Sequence, residues 1–175
     1  MRHTRRRLLV ALAILVLVVG LAVYGVQQFT ADPDDYARIE EGLYMGRAVS
    51  VPPWRTRAVL NLCEADDPYV CEVHLHDPIP DAEPAPSLEW LRAKVDWIAE
   101  QRRAGRKTFV HCLNGVSRSA LVITAYLMAE YSWTRDEALA FMRSKRPIVR
   151  PNPAFMSLLA EWERALQPAR TGKAD

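Results

Sequence analysis

One uninterrupted apolar stretch near the N-terminus constrains the organisation of this 175-residue chain more than any other feature. Residues 8–26 contain no charged side chain, and only Gly20 and Gly25 fall outside the apolar residue types. A helix of about 20 apolar residues crosses the hydrocarbon core of a bilayer and satisfies its own backbone hydrogen bonds there. A cleaved signal peptide normally has a shorter apolar core, and Val23-Tyr24-Gly25 is a poor cleavage site. The sequence therefore favours one transmembrane helix, or an uncleaved signal, over residues 8–26.

The charges on either side of this stretch predict its orientation. Residues 1–7 include four arginines, whereas residues 27–45 contain five acidic residues and one arginine. Because basic flanking residues stay in the cytoplasm, we expect a cytoplasmic tail at residues 1–7 and a single-pass protein whose main domain is non-cytoplasmic. Residues 8–175 contain 19 basic and 21 acidic residues, so their charge predicts no nucleic-acid partner.

The remaining chain has the pattern of one α/β domain. Residues 27–35 form a polar linker with three aspartates, residues 36–168 form the domain, and residues 169–175 form a short tail. Buried strands and capped helices alternate along the domain. The predicted elements are strands at residues 58–62, 70–76 and 108–110, and helices after Ser87, from about Ser119, after Thr134 and after Asn152. Three cysteines in a chain of this length exclude a disulfide scaffold.

The segment from Val110 to Ser119 carries the strongest chemical signal. It joins a buried strand to a helix N-terminus, and five residues separate Cys112 from Arg118. Those five residues predict a closed turn whose backbone N–H groups converge on an anion, and the same positive field lowers the pKa of a thiol. A planar guanidinium then holds two phosphate oxygens at once. The predicted phosphate-binding loop consists of Leu113, Asn114, Gly115, Val116, Ser117 and Arg118.

His111, Cys112, Arg118 and Ser119 stand at the positions of the His-Cys-x5-Arg-Ser signature of the cysteine-dependent protein tyrosine phosphatases. The chain resembles their dual-specificity branch over roughly residues 36–168, and residues 42–46, 58–62, 125–128 and 146–155 extend the match. The resemblance implies a mixed central β-sheet flanked by helices. It also implies phosphomonoester hydrolysis through a phosphocysteine intermediate, with no metal and no cofactor.

The resemblance also implies roles for individual residues. Cys112 is the nucleophile, Ser119 stabilises the departing sulfur, and His111 orients the surroundings of the nucleophile. Apart from the resemblance, Ser119 is also a candidate helix cap, and both roles can hold at once. A loop aspartate serves as the general acid, and Asp81, which lies 31 residues before Cys112, is favoured over Asp77. The implied partner is a phosphoprotein carrying phosphotyrosine or phosphoserine/threonine.

Several alternatives remain open at this point. The proline-rich acid loop is also similar to that of relatives that act on lipid phosphates, and an anchored phospho-binding module or a sulfur-transfer enzyme has to be weighed. Cys71, His74 and His76 form a weak metal pattern because no fourth ligand has a recognisable spacing. Cys63 and Cys71 are candidates for a disulfide, or for a thiol that resolves Cys112, but core packing is favoured for both. The sequence predicts no oligomeric state.

Overall fold

The computed structural model describes residues 15, 16 and 35–171. The chain divides at Asp32 into two units, and the second unit, residues 33–175, contains the α/β domain. The predicted membrane helix lies outside the described residues except for Leu15 and Val16. Among the residues that are described, no helix is both long enough and apolar enough to cross a bilayer.

The described domain contains five strands and four helices, with every helix after the fourth strand. The strands are β1 (Tyr36–Glu40), β2 (Leu43–Arg47), β3 (Ala58–Asn61), β4 (Val73–His76) and β5 (Thr108–Cys112). The helices are α1 (Leu88–Arg103), α2 (Arg118–Tyr131), α3 (Arg135–Lys145) and α4 (Pro153–Thr171).

The strands form one mixed sheet in the order β1-β2-β5-β3-β4. β1 is antiparallel to β2, and the other neighbouring strands are parallel. All residues of β3 and β5 are buried, as expected for central strands of a covered sheet. Cys112 is paired with Arg47, and His111 is paired with Asn61. The carboxyl ends of three parallel strands therefore meet beside Cys112.

Helix α2 is the centre of the helical layer. It packs against α1, α3 and α4 and against strands β2 and β5. Its first eleven residues, from Arg118 to Met128, are all buried, which explains why its sequence is apolar on every side. Five residues lie between the end of the central strand and the start of this helix, and this packing fixes both ends of the connecting loop.

Most of the predicted elements are confirmed by the structure. Ser87 caps α1, Thr134 and Glu137 form the capping box of α3, and the Asn152 side chain accepts a hydrogen bond from Phe155 N–H at the start of α4. β4 is shorter than the pattern predicts, since it begins at Val73. The sequence does not predict the β1–β2 hairpin, because its residues have no clear alternating pattern. Gly42, at φ +73°, lies in its turn.

Candidate active site

Cys112 is the last residue of the central strand, and its side chain is enclosed. Only 2% of the residue is exposed, and its Sγ atom lies 3.3 Å from Ser119 Oγ. Burial by itself raises the pKa of the thiol. Hydrogen bonds from the Ser119 hydroxyl and from the backbone N–H groups of Ser119, Val116 and Gly115 outweigh burial, so the pKa lies below that of an ordinary cysteine. The site therefore stabilises a thiolate.

The backbone of the loop is turned so that its amides face inward. The carbonyl oxygens of four consecutive loop residues accept hydrogen bonds from groups outside the loop. In a trans peptide unit, the C=O of one residue and the N–H of the next residue point in opposite directions. The N–H groups of residues 114–117 are consequently directed toward the interior of the turn. The outside donors are Ala48 N–H to Leu113 O at 3.3 Å, Arg146 Nη2 to Asn114 O at 3.3 Å, Arg146 Nε to Gly115 O at 2.9 Å, and Arg150 N–H to Val116 O at 2.9 Å.

Gly115 allows the loop to pack closely against the end of β2. Its φ is +62°, which L residues rarely adopt. A Cβ atom at this position would lie 2.5 Å from the carbonyl oxygen of Gly46 and 2.7 Å from the nitrogen of Arg47. Only glycine fits both the dihedral angle and the space.

Arg118 begins α2, and its side chain is 6% exposed. Its Nη1 atom donates to the carbonyl oxygens of Leu62 and Ile79, each at 3.1 Å, and to the Glu64 carboxylate at 3.0 and 3.2 Å. Its Nε atom is buried and has no hydrogen-bond partner among the described residues. A buried donor without an acceptor is costly, so the arrangement suits an anion that accepts from Nε.

Two residues that support the loop were missed by the sequence analysis. Glu64 binds the Arg118 guanidinium, and its pKa is lowered by its own backbone amide and by Arg118. Arg146, 3% exposed, holds two loop carbonyl oxygens. An arginine between two helices and an acidic residue just after a strand are the only local signals, and neither signal is specific.

Ser119 is placed beside the nucleophile and not at the helix cap. The cap position belongs to Ser117, whose hydroxyl makes no capping hydrogen bond. Ser119 is the second residue of α2 and is fully buried, with its hydroxyl directed to the Cys112 sulfur. Of the two roles considered for Ser119, the cap is therefore wrong.

His111 directly precedes the nucleophile on β5 and is fully buried. Its ring stacks on Phe109 at 5.0 Å, and its Nε2 atom lies 3.1 Å from Asp67 Oδ2. Because a carboxylate only accepts, Nε2 carries the proton, and Nδ1 faces the Cys63 sulfur at 3.8 Å. Burial lowers the pKa of His111 although Asp67 acts in the opposite direction, so burial favours the neutral ring.

The two candidate acids are held in different places. Asp81 Oδ1 accepts hydrogen bonds from Ser117 Oγ at 2.6 Å and from Asn152 Nδ2 at 2.8 Å, so its carboxyl group touches the phosphate-binding loop. Asp77 instead forms an ion pair with Lys94 and accepts from Trp90 Nε1 at 3.0 Å, and both partners belong to α1. The structure brings Asp81, and not Asp77, to the loop.

The remaining candidates form no shared site. His76 is bonded to Asp66 and to the Cys63 carbonyl oxygen, and His74 is bonded to Asp67. Within the described part of the chain, no group of three or more potential ligands is arranged to hold a metal ion. Cys63 and Cys71 are both free thiols.

Comparison with known proteins agrees with this geometry. Residues 56–165 match the family model described as dual specificity phosphatase, catalytic domain. The chain is 35% identical over 108 residues to human dual specificity protein phosphatase 16 and 32% identical over 148 residues to rat protein phosphatase Slingshot homolog 3. These alignments cover 61% and 80% of this chain but only 16% and 23% of the relatives.

A solved structure provides the matching fold. The crystal structure of human DUSP28 superposes with a TM-score of 0.70 at 28% identity, covering 78% of this chain and 97% of that one. The family model spans more than half of the sequence, and the matched range includes Cys112 and Ser119, whose side chains are in contact. The chain belongs to the dual specificity phosphatase family.

Proposed function

We propose that the protein is a cysteine-dependent phosphatase that hydrolyses phosphotyrosine and phosphoserine/threonine in protein substrates. The observation that carries the proposal is the donor set around the thiol. The Cys112 sulfur receives loop amide hydrogen bonds, and the buried Nε atom of Arg118 has no acceptor within the described residues. A phosphoryl group supplies the acceptors that these donors need.

The first chemical step transfers the phosphoryl group to sulfur. The Cys112 thiolate attacks phosphorus in line, so a sulfur–phosphorus bond forms while the bond to the substrate oxygen breaks. The electron pair leaves with that oxygen, and protonated Asp81 gives it a proton. The loop amides and Arg118 stabilise the charge on the three remaining phosphoryl oxygens.

The second step hydrolyses the phosphocysteine. Water attacks phosphorus, a phosphorus–oxygen bond forms, and the sulfur–phosphorus bond breaks. Asp81, now a carboxylate, accepts the proton from the water. The Ser119 hydroxyl, 3.3 Å from Sγ, donates to the sulfur as it departs with the electron pair. Only side chains and water take part, so we propose neither a metal nor a cofactor.

The loop composition supports a protein substrate over a lipid phosphate. Leu113, Asn114, Val116 and Ser117 include no lysine or arginine that would meet additional phosphates. A catalytically inactive binding module would need neither an activated thiol nor an acid beside the loop. A sulfur-transfer enzyme typically closes its active loop with one residue fewer. We therefore favour a protein phosphatase over a lipid phosphatase, a binding module and a sulfur-transfer enzyme.

Phosphate release by the full chain tests the proposal. Cys112→Ser reduces release from a phosphotyrosine peptide and from a phosphothreonine peptide to background, because an alcohol is a poor nucleophile at neutral pH. Cys71→Ser makes the same atomic change at a cysteine that no proposed step uses, and it leaves the rate unchanged. Equal rates for wild type and Cys112→Ser would overturn the proposal. Faster release from phosphoinositide vesicles than from either peptide would move the substrate class to lipids.

We also propose that residues 8–26 anchor the protein with residues 1–7 in the cytoplasm and the catalytic domain on the other side. The uncharged stretch and the four N-terminal arginines support this proposal. Residues 27–35 form a nine-residue linker, which extends to at most about 30 Å. Substrates would then be phosphoproteins close to the membrane.

A further inference from the structure

We infer that Asn152, acting with Ser117, is a positioning residue that fixes Asp81 so that only its Oδ2 atom carries the transferred proton. The inference rests on the proposed phosphatase function and extends it to a residue outside the signature loop. The observation behind it is the convergence of two side-chain donors on a single carboxylate oxygen, Asp81 Oδ1.

The hydrogen-bond partners in this cluster determine where each proton lies. The Asn152 side-chain oxygen accepts from Phe155 N–H at 2.9 Å, so its amide nitrogen is the atom that donates to Asp81. The Ser117 oxygen accepts from Asn152 N–H at 3.1 Å, so its own proton is directed to Asp81. Both bonds end on Oδ1, and a proton on that oxygen would compete with two existing donors.

Asp81 needs such support because its side chain is exposed. It lies in a proline-rich loop without secondary structure, where a free carboxyl group samples several rotamers. The backbone of this loop is held elsewhere, by the bond from Arg118 to Ile79 O and by the contacts of Asp77 with α1. Those contacts place the chain, whereas Ser117 and Asn152 place the carboxyl group.

Asn152 is suited to this task because one end of its amide is already fixed. Its oxygen caps α4, and the residue after it, Pro153, begins the helix. Ser117 lies at the start of α2 and is 5% exposed. The carboxyl group of Asp81 is therefore attached to the N-terminal ends of two packed helices, and small displacements of a catalytic group reduce rates strongly.

The test compares two aryl phosphates that differ in how much they need an acid. Phenoxide is a poor leaving group, whereas 2,4-dinitrophenoxide leaves without a proton. We measure kcat/KM because it reports the step in which the aryl group departs. In Asp81→Asn, kcat/KM on phenyl phosphate falls about 100-fold or more, and on 2,4-dinitrophenyl phosphate it changes by less than about 3-fold.

Asn152→Ser is the decisive variant. Serine is a good helix cap, but its side chain is too short to reach Asp81. We expect kcat/KM to fall about 10-fold on phenyl phosphate and to stay within about 2-fold on the dinitrophenyl ester. In the Asp81→Asn background the same change has no further effect, because there is no acid left to position. Ser117→Ala, which removes the other donor, lowers kcat/KM on phenyl phosphate more than on the dinitrophenyl ester.

The control is Thr134→Ala, which removes the cap of α3 without touching Asp81. It lowers thermal stability and leaves the ratio of the two kcat/KM values at the wild-type value. Equal losses on both substrates in Asn152→Ser, or a further loss in the Asp81→Asn background, would reduce Asn152 to a structural role. Failure of the proposed function is distinct: wild type would then release no phosphate in a Cys112-dependent manner from either ester.

Discussion

At the scale of single residues, the structure gives two neighbouring cysteines opposite acid–base behaviour. Cys112 and Cys63 are each 2% exposed. Hydrogen bonds from Ser119 and the loop amides lower the pKa of Cys112 despite its burial, whereas burial and the charge of Cys112 raise the pKa of Cys63 to about 12. Local donors, and not exposure, decide which thiol is activated.

Alkylation kinetics measure this difference. Because the pKa of Cys112 is lowered, its thiolate persists as the pH falls, and iodoacetamide labels it below the pH at which an ordinary cysteine reacts. Ser119→Ala shifts the midpoint of labelling to higher pH, whereas Ser157→Ala, on an exposed part of α4, does not shift it. Cys63 stays unlabelled at neutral pH in intact protein. Mass spectrometry of the labelled peptides gives the labelling rates of Cys112 and Cys63 in wild type and in both variants. A labelling midpoint for Cys112 above that of free cysteine would contradict the lowered pKa.

At the scale of elements, the phosphate-binding loop depends on what surrounds it more than on its own sequence. Its carbonyl oxygens are bonded to Ala48, Arg146 and Arg150, which precede β3 or follow α3. Gly115 is the one loop position where the local conformation and the space both require glycine. The turn is therefore shaped by contacts between elements that are distant in sequence.

Two glycine substitutions separate conformational strain from steric clash. Gly105 has φ +68° and no atom within 4 Å of an added Cβ, so Gly105→Ala costs about 1 kcal/mol of stability and leaves activity intact. Gly115→Ala has similar strain, but its Cβ meets the backbone of Gly46 and Arg47. We expect activity to fall about 100-fold or more because the loop must move. Thermal unfolding and phosphate release check both variants, and normal activity in Gly115→Ala would show that the loop tolerates displacement.

At the scale of the whole molecule, the site is assembled from separate parts of the chain. Glu64 and Asp81 follow strands that are parallel to β5, so both lie at the carboxyl ends of the strands, near Cys112. Helix α4 brings Asn152 to Asp81. More than 80 residues separate Glu64 from Asn152 in the sequence. The family membership fits this assembly. The proposed anchor would place the Cys112 thiolate outside the cytoplasm, where thiolates are prone to oxidation.

Protease protection in sealed vesicles tests the proposed orientation. With the N-terminus cytoplasmic, protease added to the cytoplasmic face leaves the catalytic domain intact, because the domain lies behind the bilayer. Replacing Arg2, Arg5, Arg6 and Arg7 with glutamine removes the charge asymmetry and exposes a fraction of the domain. Replacing Arg170 and Lys173, which lie far from the apolar stretch in the sequence, has no effect. Cleavage of the wild-type domain by protease at the cytoplasmic face would show that the orientation is the opposite of the proposed one. Loss of residues 1–26 from the mature chain would show that the apolar stretch is a cleaved signal peptide and not an anchor.

The sequence alone determined those features that depend on short-range chemistry. The Cys112–Arg118 spacing, the strand and helix on either side of it, and the caps at Ser87, Thr134 and Asn152 are all local patterns. Such patterns are visible because backbone conformation and capping depend on neighbours within a few residues. The pattern did not reveal the β1–β2 hairpin. The edge strand β1 is mostly only partly buried, and the burial of the interior strand β2 does not alternate strictly.

Only the tertiary structure decided which distant side chains serve the loop. Spacing favours Asp81 over Asp77 but gives no physical difference between them. In the folded chain their partners differ, because Asp81 accepts from Ser117 and Asn152 whereas Asp77 contacts α1. Glu64 and Arg146 carry no specific local signal, because their partners lie more than thirty residues away. Hydrogen bonds between remote segments depend on how the sheet and α2 hold the ends of the loop, so no local pattern encodes them.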